Sequence, residues 1–201
     1  MDRSIQEMRS LIAETGAKMF TRRLTDSAGG NISVRLNDVI LMTPRYAGSQ
    51  FNWQLSPEHI LVLDLQANKI EGVGEKSREY QVHFRLLTEL YPAGTAVVHG
   101  HALNALVFCA ARKPIPAILD DTDKFGEIGL VPAAPAHSPE LAENILEALR
   151  TQEDRVRSQA AAVLAPRHGV FVLAKDLPSA YDSLERIDVN AYCVLMGKLL
   201  E

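Results

Sequence analysis

Two histidines one residue apart, His99 and His101, close the apolar run "TAVVHGH". In an extended strand alternate side chains share a face, so the two rings point the same way. Side by side they are a ready pair of metal ligands. As structural groups they would instead need hydrogen-bond partners. His168, in "LAPRHGVFVL", is a third candidate, lying between two apolar segments and before Gly169, where the backbone can bend sharply. Three neutral imidazoles with one position left open suit a catalytic zinc; the alternative leaves His168 as a turn residue. Glu79 contributes a carboxylate. On a helix starting at Ser77 it shares a face with Val82, His83, Leu86 and Leu90, while Gln81, Arg85 and Thr88 point elsewhere. A buried carboxylate finds a partner or its pKa rises, and either outcome suits a general acid/base beside a metal. The structural alternative is a helix-start glutamate favoured by the helix dipole. In "SAGGNISVR" a glycine turn precedes Asn31, and bare amides there can approach an anion closely, although most such stretches are ordinary turns. His83 suits packing better than metal binding, and His59 and His137 are given no role.

The elements that must position these residues follow from hydrophobic period and turn residues. Ile5, Met8, Leu11, Ile12, Thr15 and Met19 recur at helical spacing, predicting a helix over 4–24. "ISVRL", a tight "ND" and "VILMT" predict a hairpin. "PRYAGSQFNWQLS" reads as a loop, and "ILVLDL" and "NKIEGVG" as two short strands. Ser77 is expected to cap a helix running to Tyr91. "TAVVHGH" is then a strand and "ALNALVFCAAR" a helix, with "IPAILDD" and "IGLVPAAP" as extended pieces. Ser138 followed by Pro139 starts a helix to about Arg150. "AAVLAP" and "GVFVLA" form a strand pair around His168, and Pro178 to Leu200 make the last helix. Hairpin-like strands flanked by helices predict a layered α/β domain with a mostly antiparallel sheet.

Composition narrows the function classes. The 201 residues suit one domain spanning 1–201, and 47% hydrophobic with 23% charged residues is ordinary for a globular protein. A net charge of −4 argues against a nucleic-acid partner, which usually meets a basic stripe. No apolar run reaches the roughly 18 residues of a membrane span. Cys109 and Cys193 lie in apolar helical patterns and read as buried thiols of a reducing compartment. With no signal-peptide core in "MDRSIQEMRSLIAETG", the expected location is the cytoplasm.

Taken in order, "GGNISVR", "LMTP", "KSREYQVH", "AVVHGHA", "IPAI" and "RHGVFVL" resemble the class II aldolase/adducin family over nearly the whole chain. The resemblance implies a three-layer α/β/α fold around a largely antiparallel sheet, and a homotetramer with active sites at subunit boundaries. It implies a divalent metal, usually zinc, on His99, His101 and His168. It also implies that Glu79 is the acid/base, able to ligate the metal when substrate is absent, and that Asn31 helps to hold a substrate phosphate. Two departures concern substrate. Arg45 in "TPRYAG" and Arg78 in "KSRE" replace small groups near the expected phosphate pocket, where two arginines can clamp a phosphate or a carboxylate. Helical phase alone, however, points Arg78 to solvent. The family's tyrosine after "IPAI" is missing; Asp120 and Asp121 of "LDDTDKFGE" stand in its place, expected close to a neighbouring subunit's site.

The expected protein is thus a zinc-dependent lyase cleaving a small sugar phosphate by retro-aldol chemistry. Glu79 exchanges the proton, and Gly30, Asn31, Thr43, Arg45 and Ser77 hold the anionic end. The alternatives are a decarboxylase, epimerase or dehydratase on the same scaffold, and a noncatalytic adducin-like module.

Overall fold

The computed structural model describes residues 4–200. Helix α1 (Ile5–Thr21) starts at Ser4, whose hydroxyl accepts from the Glu7 amide while the Glu7 carboxylate accepts from the Ser4 amide. A hairpin follows, β1 (Asn31–Leu36) and β2 (Val39–Met42), with Leu36 opposite Val39 across the Asn37–Asp38 turn. Then come a short helix α2 (Ala47–Phe51), β3 (Leu61–Asp64), β4 (Lys69–Glu71), α3 (Tyr80–Glu89), β5 (Ala96–Gly100) and α4 (Leu103–Ala111). The chain continues through α5 (Pro139–Arg150), α6 (Glu153–Ser158), β6 (Ala160–Ala165), β7 (Gly169–Ala174) and α7 (Leu177–Gly197).

All strand pairings are antiparallel, in the order β4-β3-β2-β1-β5-β7-β6. Strand alternation divides the core between two faces. Ile32, Val34, Ala96, Val98, Val170 and Val172 face α1, α4 and α7, packing on Ile12, Met19, Phe108, Leu184 and Ile187. Val97, Val163, Phe171 and Leu173 face α3 and α5, packing on Val82, Leu86, Leu87, Ile145 and Leu149. The result is helices on both sides of one sheet, the α/β/α architecture expected from the sequence.

Register then builds the site. Asn31 lies opposite His99, and His99 opposite Phe171, so three neighbouring strands project these side chains together onto the α3 face. Two residues further along β1 and on the same face, Ser33 hydrogen-bonds His83 Nδ1 of α3 at 2.6 Å. His83 is fully buried, as its packing role requires.

Several boundaries differ from expectation. Helix α3 begins at Tyr80, with Glu79 in the cap position, because the Ser77 hydroxyl accepts from Asn31 Nδ2 as well as from the Glu79 amide. Helix α7 starts at Leu177 because the Asp176 carboxylate accepts from the Ser179 amide. The 44–56 loop contains α2, and α6 arises in a charged stretch with little apolar period. The two extended pieces meet only at the Ile115–Ile128 bridge, and Asp120–Phe125 is a 3₁₀ helix. Cys109 and Cys193 are both free, and burial pushes the Cys109 thiol up to about 12. No helix among the described residues is long and apolar enough to cross a membrane.

Candidate active site

Glu79 is 4% exposed, at the junction of α3 with the sheet. Its Oε2 accepts from Asn31 Nδ2 at 2.8 Å, and its Oε1 accepts from His168 Nε2. His99 Nε2 stands 3.4 Å from Oε2. Burial alone would raise the Glu79 carboxyl, but His99, the His168 hydrogen bond and Asn31 outweigh it and hold the group well below the usual carboxylate range.

His99 comes from the centre of the sheet and is 0% exposed, stacked on Phe171 with ring centroids 4.1 Å apart. Its Nδ1 lies 2.9 Å from the Val170 carbonyl, which can only accept, so Nδ1 carries the proton. Burial pushes the imidazole down to about 3 against the pull of Glu79, so at neutral pH the ring is uncharged. The Nε2 lone pair is therefore buried, without a hydrogen-bond partner, and directed at a carboxylate. Two electron-rich atoms facing each other in the interior suit a positive charge between or beside them, a proton or a metal ion.

His168 is placed by the turn from Ala165 to Gly169 that joins β6 and β7, its amide bonding the Ala165 carbonyl at 3.1 Å. Its ring stacks against His99 at 5.0 Å. Among the described residues, Glu79, His99 and His168 form a group whose ligand atoms all lie within 4.8 Å of one another. This donor set, two imidazoles and a carboxylate on a preformed shelf, fits a divalent transition metal. His101 lies just beyond the end of β5, edge-on to His99 at 5.1 Å and outside that tight group. The Asp26 carboxylate is 3.2 Å from His101 Nδ1 and, accepting its proton, leaves Nε2 as the lone-pair nitrogen. A carboxylate behind an imidazole in this way is the usual support of a metal-bound histidine.

Beside these groups is a polar cavity. Gly30, Asn31, Arg45 and Ser77 line it, as does Arg78, which helical phase alone had pointed to solvent. Asn31 Oδ1 and Arg45 Nε are buried there without hydrogen-bond partners. Thr43 is not on the cavity wall; it is fully buried, its hydroxyl accepting from the Ile32 amide at 3.1 Å. Asp121 pairs with Arg186 of α7 at 3.0 Å, and neither Asp120 nor Asp121 reaches the cavity within this chain. Two contributors had no signal in the sequence: Asp26 behind His101, and His137, whose Nδ1 is 3.7 Å from Glu79 Oε1. Both sit in turns, which have no period to read.

The antiparallel α/β/α sandwich, with a histidine–carboxylate cluster at its central strand, is the arrangement of a metal-dependent class II aldolase. The model of the "Class II Aldolase and Adducin N-terminal domain" family matches residues 10–195, and the chain belongs to that family. The chain is 29% identical to an L-fuculose phosphate aldolase of Methanocaldococcus jannaschii, over 92% of this chain and 93% of the relative. It is 30% identical to a 3-oxo-tetronate 4-phosphate decarboxylase of Haemophilus influenzae, over 91% of this chain and 84% of the relative. A solved structure of L-fuculose 1-phosphate aldolase superposes with a TM-score of 0.82 at 25% identity, covering 96% of this chain and 87% of the other. With these relatives the chain is an aldolase-type enzyme.

Proposed function

We propose that this enzyme is a zinc-dependent lyase that cleaves a small ketose phosphate by retro-aldol chemistry. The observation that carries the reading is the buried His99 Nε2 lone pair facing the Glu79 carboxylate, an arrangement that suits a cation. His99, His101 and His168 would hold the ion. A divalent metal there supplies a Lewis acid for the negative charge that develops on substrate oxygen as the carbon–carbon bond breaks. Glu79, an anion kept out of water, would take up the proton released as the substrate hydroxyl becomes the aldehyde carbonyl and pass it to the carbon left behind, reversing both transfers in the condensation direction. Gly30, Asn31, Ser77 and Arg45 line the end of the cavity that would take the phosphate, where the unpartnered Arg45 Nε supplies a donor; the unpartnered Asn31 Oδ1 is an acceptor suited to a substrate hydroxyl. The substrate class rests on the aldolase-named relatives.

A second reading, decarboxylation of a phosphorylated keto-acid, is favoured by Arg45 and Arg78 both lining that cavity and by the Haemophilus relative. There Glu79 would protonate the carbon from which carbon dioxide departs. Exposed Leu103 and Val107 on α4, with Val189, Tyr192 and Met196 on α7, support a homotetramer. The free thiols support a cytoplasmic location.

Metal analysis followed by a substrate screen tests the reading. Purified protein should carry about one zinc per chain, lost in the His99→Ala/His101→Ala double variant. Phosphorylated ketoses should be cleaved in preference to phosphorylated keto-acids. Full metal retention in the double variant would sink the histidine tripod, and carbon dioxide release from keto-acids alone would favour the second reading.

A further inference from the structure

The turn before β1 faces two ways. Residues 27–31 line the polar cavity, and on its other side the same turn lies against His101. A Cβ added at Gly29 would come within 2.2 Å of His101 Cε1, so the backbone there rests directly on the imidazole. One side chain serves both sides. Asp26 Oδ1 accepts from the Ala28 amide at 2.8 Å and from the Gly29 amide at 3.0 Å, an Asx turn that shapes the cavity wall. Both Asp26 oxygens also lie near His101 Nδ1, Oδ2 at 3.2 Å and Oδ1 at 3.3 Å. The main chain of Asp26 is itself held, its carbonyl accepting from Trp53 Nε1 at 2.9 Å.

A carboxylate offers only acceptors, spread over two oxygens. With Oδ1 taken by the two amides, Oδ2 is left for His101 Nδ1–H, which keeps the proton on Nδ1 and the lone pair on Nε2. An imidazole protonated on Nε2 instead has no lone pair there to give an ion. Because one planar group makes both sets of bonds, turning the ring moves the carboxylate, and moving the carboxylate loosens the turn.

We propose that Asp26 is a positioning residue that joins the cavity-lining turn to the metal ligand His101, so that each half of the site is ordered through the other. An ion on His101 fixes the ring, the ring fixes Oδ2, and Oδ1 then holds the turn in the shape that forms the cavity wall. The inference rests on the metal-dependent reading above and adds to it a coupling between the metal and the anion-binding end.

Zinc titration and amide exchange on three chains test it. In the wild type, zinc should slow exchange of the Ala28 and Gly29 amides. Asp26→Ala removes both acceptor oxygens. Its Kd for zinc should rise roughly 10–100-fold, and the two amides should exchange faster and no longer respond to zinc. Asp26→Asn separates the two roles. Its single oxygen can keep the turn amides, which leaves an NH2 group facing His101 Nδ1 and favours the tautomer protonated on Nε2. Amide protection should then stay close to wild type while zinc binding remains weakened, and the His101 ring ¹⁵N signals of the zinc-free chain should show the changed tautomer. Wild-type zinc affinity in both variants overturns this inference alone. So does a zinc-loaded wild type whose Ala28 and Gly29 amides exchange as fast as before. A wild-type chain that takes up no divalent metal overturns both this inference and the reading it rests on.

Discussion

Glu79 meets four side chains with its two oxygens, and that crowding sets what each substitution should do. Glu79→Gln keeps the size of the side chain and its contact with Asn31 but cannot exchange a proton. Turnover should fall roughly 10²–10⁴-fold, measured at saturating substrate, with zinc content unchanged because the three imidazoles remain. Full turnover in a zinc-loaded variant would remove Glu79 from the chemistry. His83, one helical turn on, tests a different consequence of burial. Its imidazole is pushed down to about 4 by burial, against a weaker opposing pull from Glu79. The unfolded chain binds that proton near pH 6.5 and the folded chain does not, so the stability is complete above 6.5 and lost as pH falls toward 4. The expected loss is on the order of 2–3 kcal/mol for this group, read from denaturant melts at pH 7 and pH 4. His83→Asn should shrink that pH dependence, and an unchanged slope would count against it. Strand and helix periods marked the histidine pair and Glu79 as candidates, although His101 lies just beyond β5 and Glu79 caps α3 rather than sitting within it. Asp26 and His137 were not marked, because a turn residue's direction depends on what the turn packs against.

Among the elements, the seam between β5 and β7 is the most tightly specified. A Cβ added at Gly169 would lie 2.7 Å from the Gly100 carbonyl oxygen and 2.7 Å from His99 Cε1. Gly169→Ala must therefore part the two strands or push the His99 ring off its Phe171 shelf. We expect a loss of about 1–3 kcal/mol by denaturant melt, together with weaker zinc binding in a chelator competition. A variant as stable as the wild type and equally tight for zinc would show the strands to be slacker than these contacts imply. The strands themselves were legible: "ISVRL-ND-VILMT" and the pair around His168 carry alternation and turn residues that local physics enforces. The start of α3 was not. Ser77 has the side chain of a cap, but Asn31, far away in sequence, also bonds its hydroxyl, and the helix begins after Glu79 instead. Short α6 escaped for a related reason, since it owes its place to Val156 packing under β6 rather than to a repeating pattern.

Over the whole molecule, the sheet order places two locally connected pieces on either side of one strand. Residues 31–71 form a meander of consecutive antiparallel strands, and residues 160–174 form a hairpin. Only β5 pairs with both, through Asn31–His99 on one side and His99–Phe171 on the other. Each piece can form through short-range contacts, whereas β5 must wait for partners many residues away in both directions. The proposed ligands straddle that junction, His168 from the hairpin and His99 with His101 from β5, so an ion held by all three acts as a rivet across the last joint to close. In pulse-labelled hydrogen exchange during refolding, amides of the meander and the hairpin should gain protection before those of β5. Zinc should then slow unfolding of the finished protein more than it speeds the early phase, because neither separate piece contains the full set of ligands.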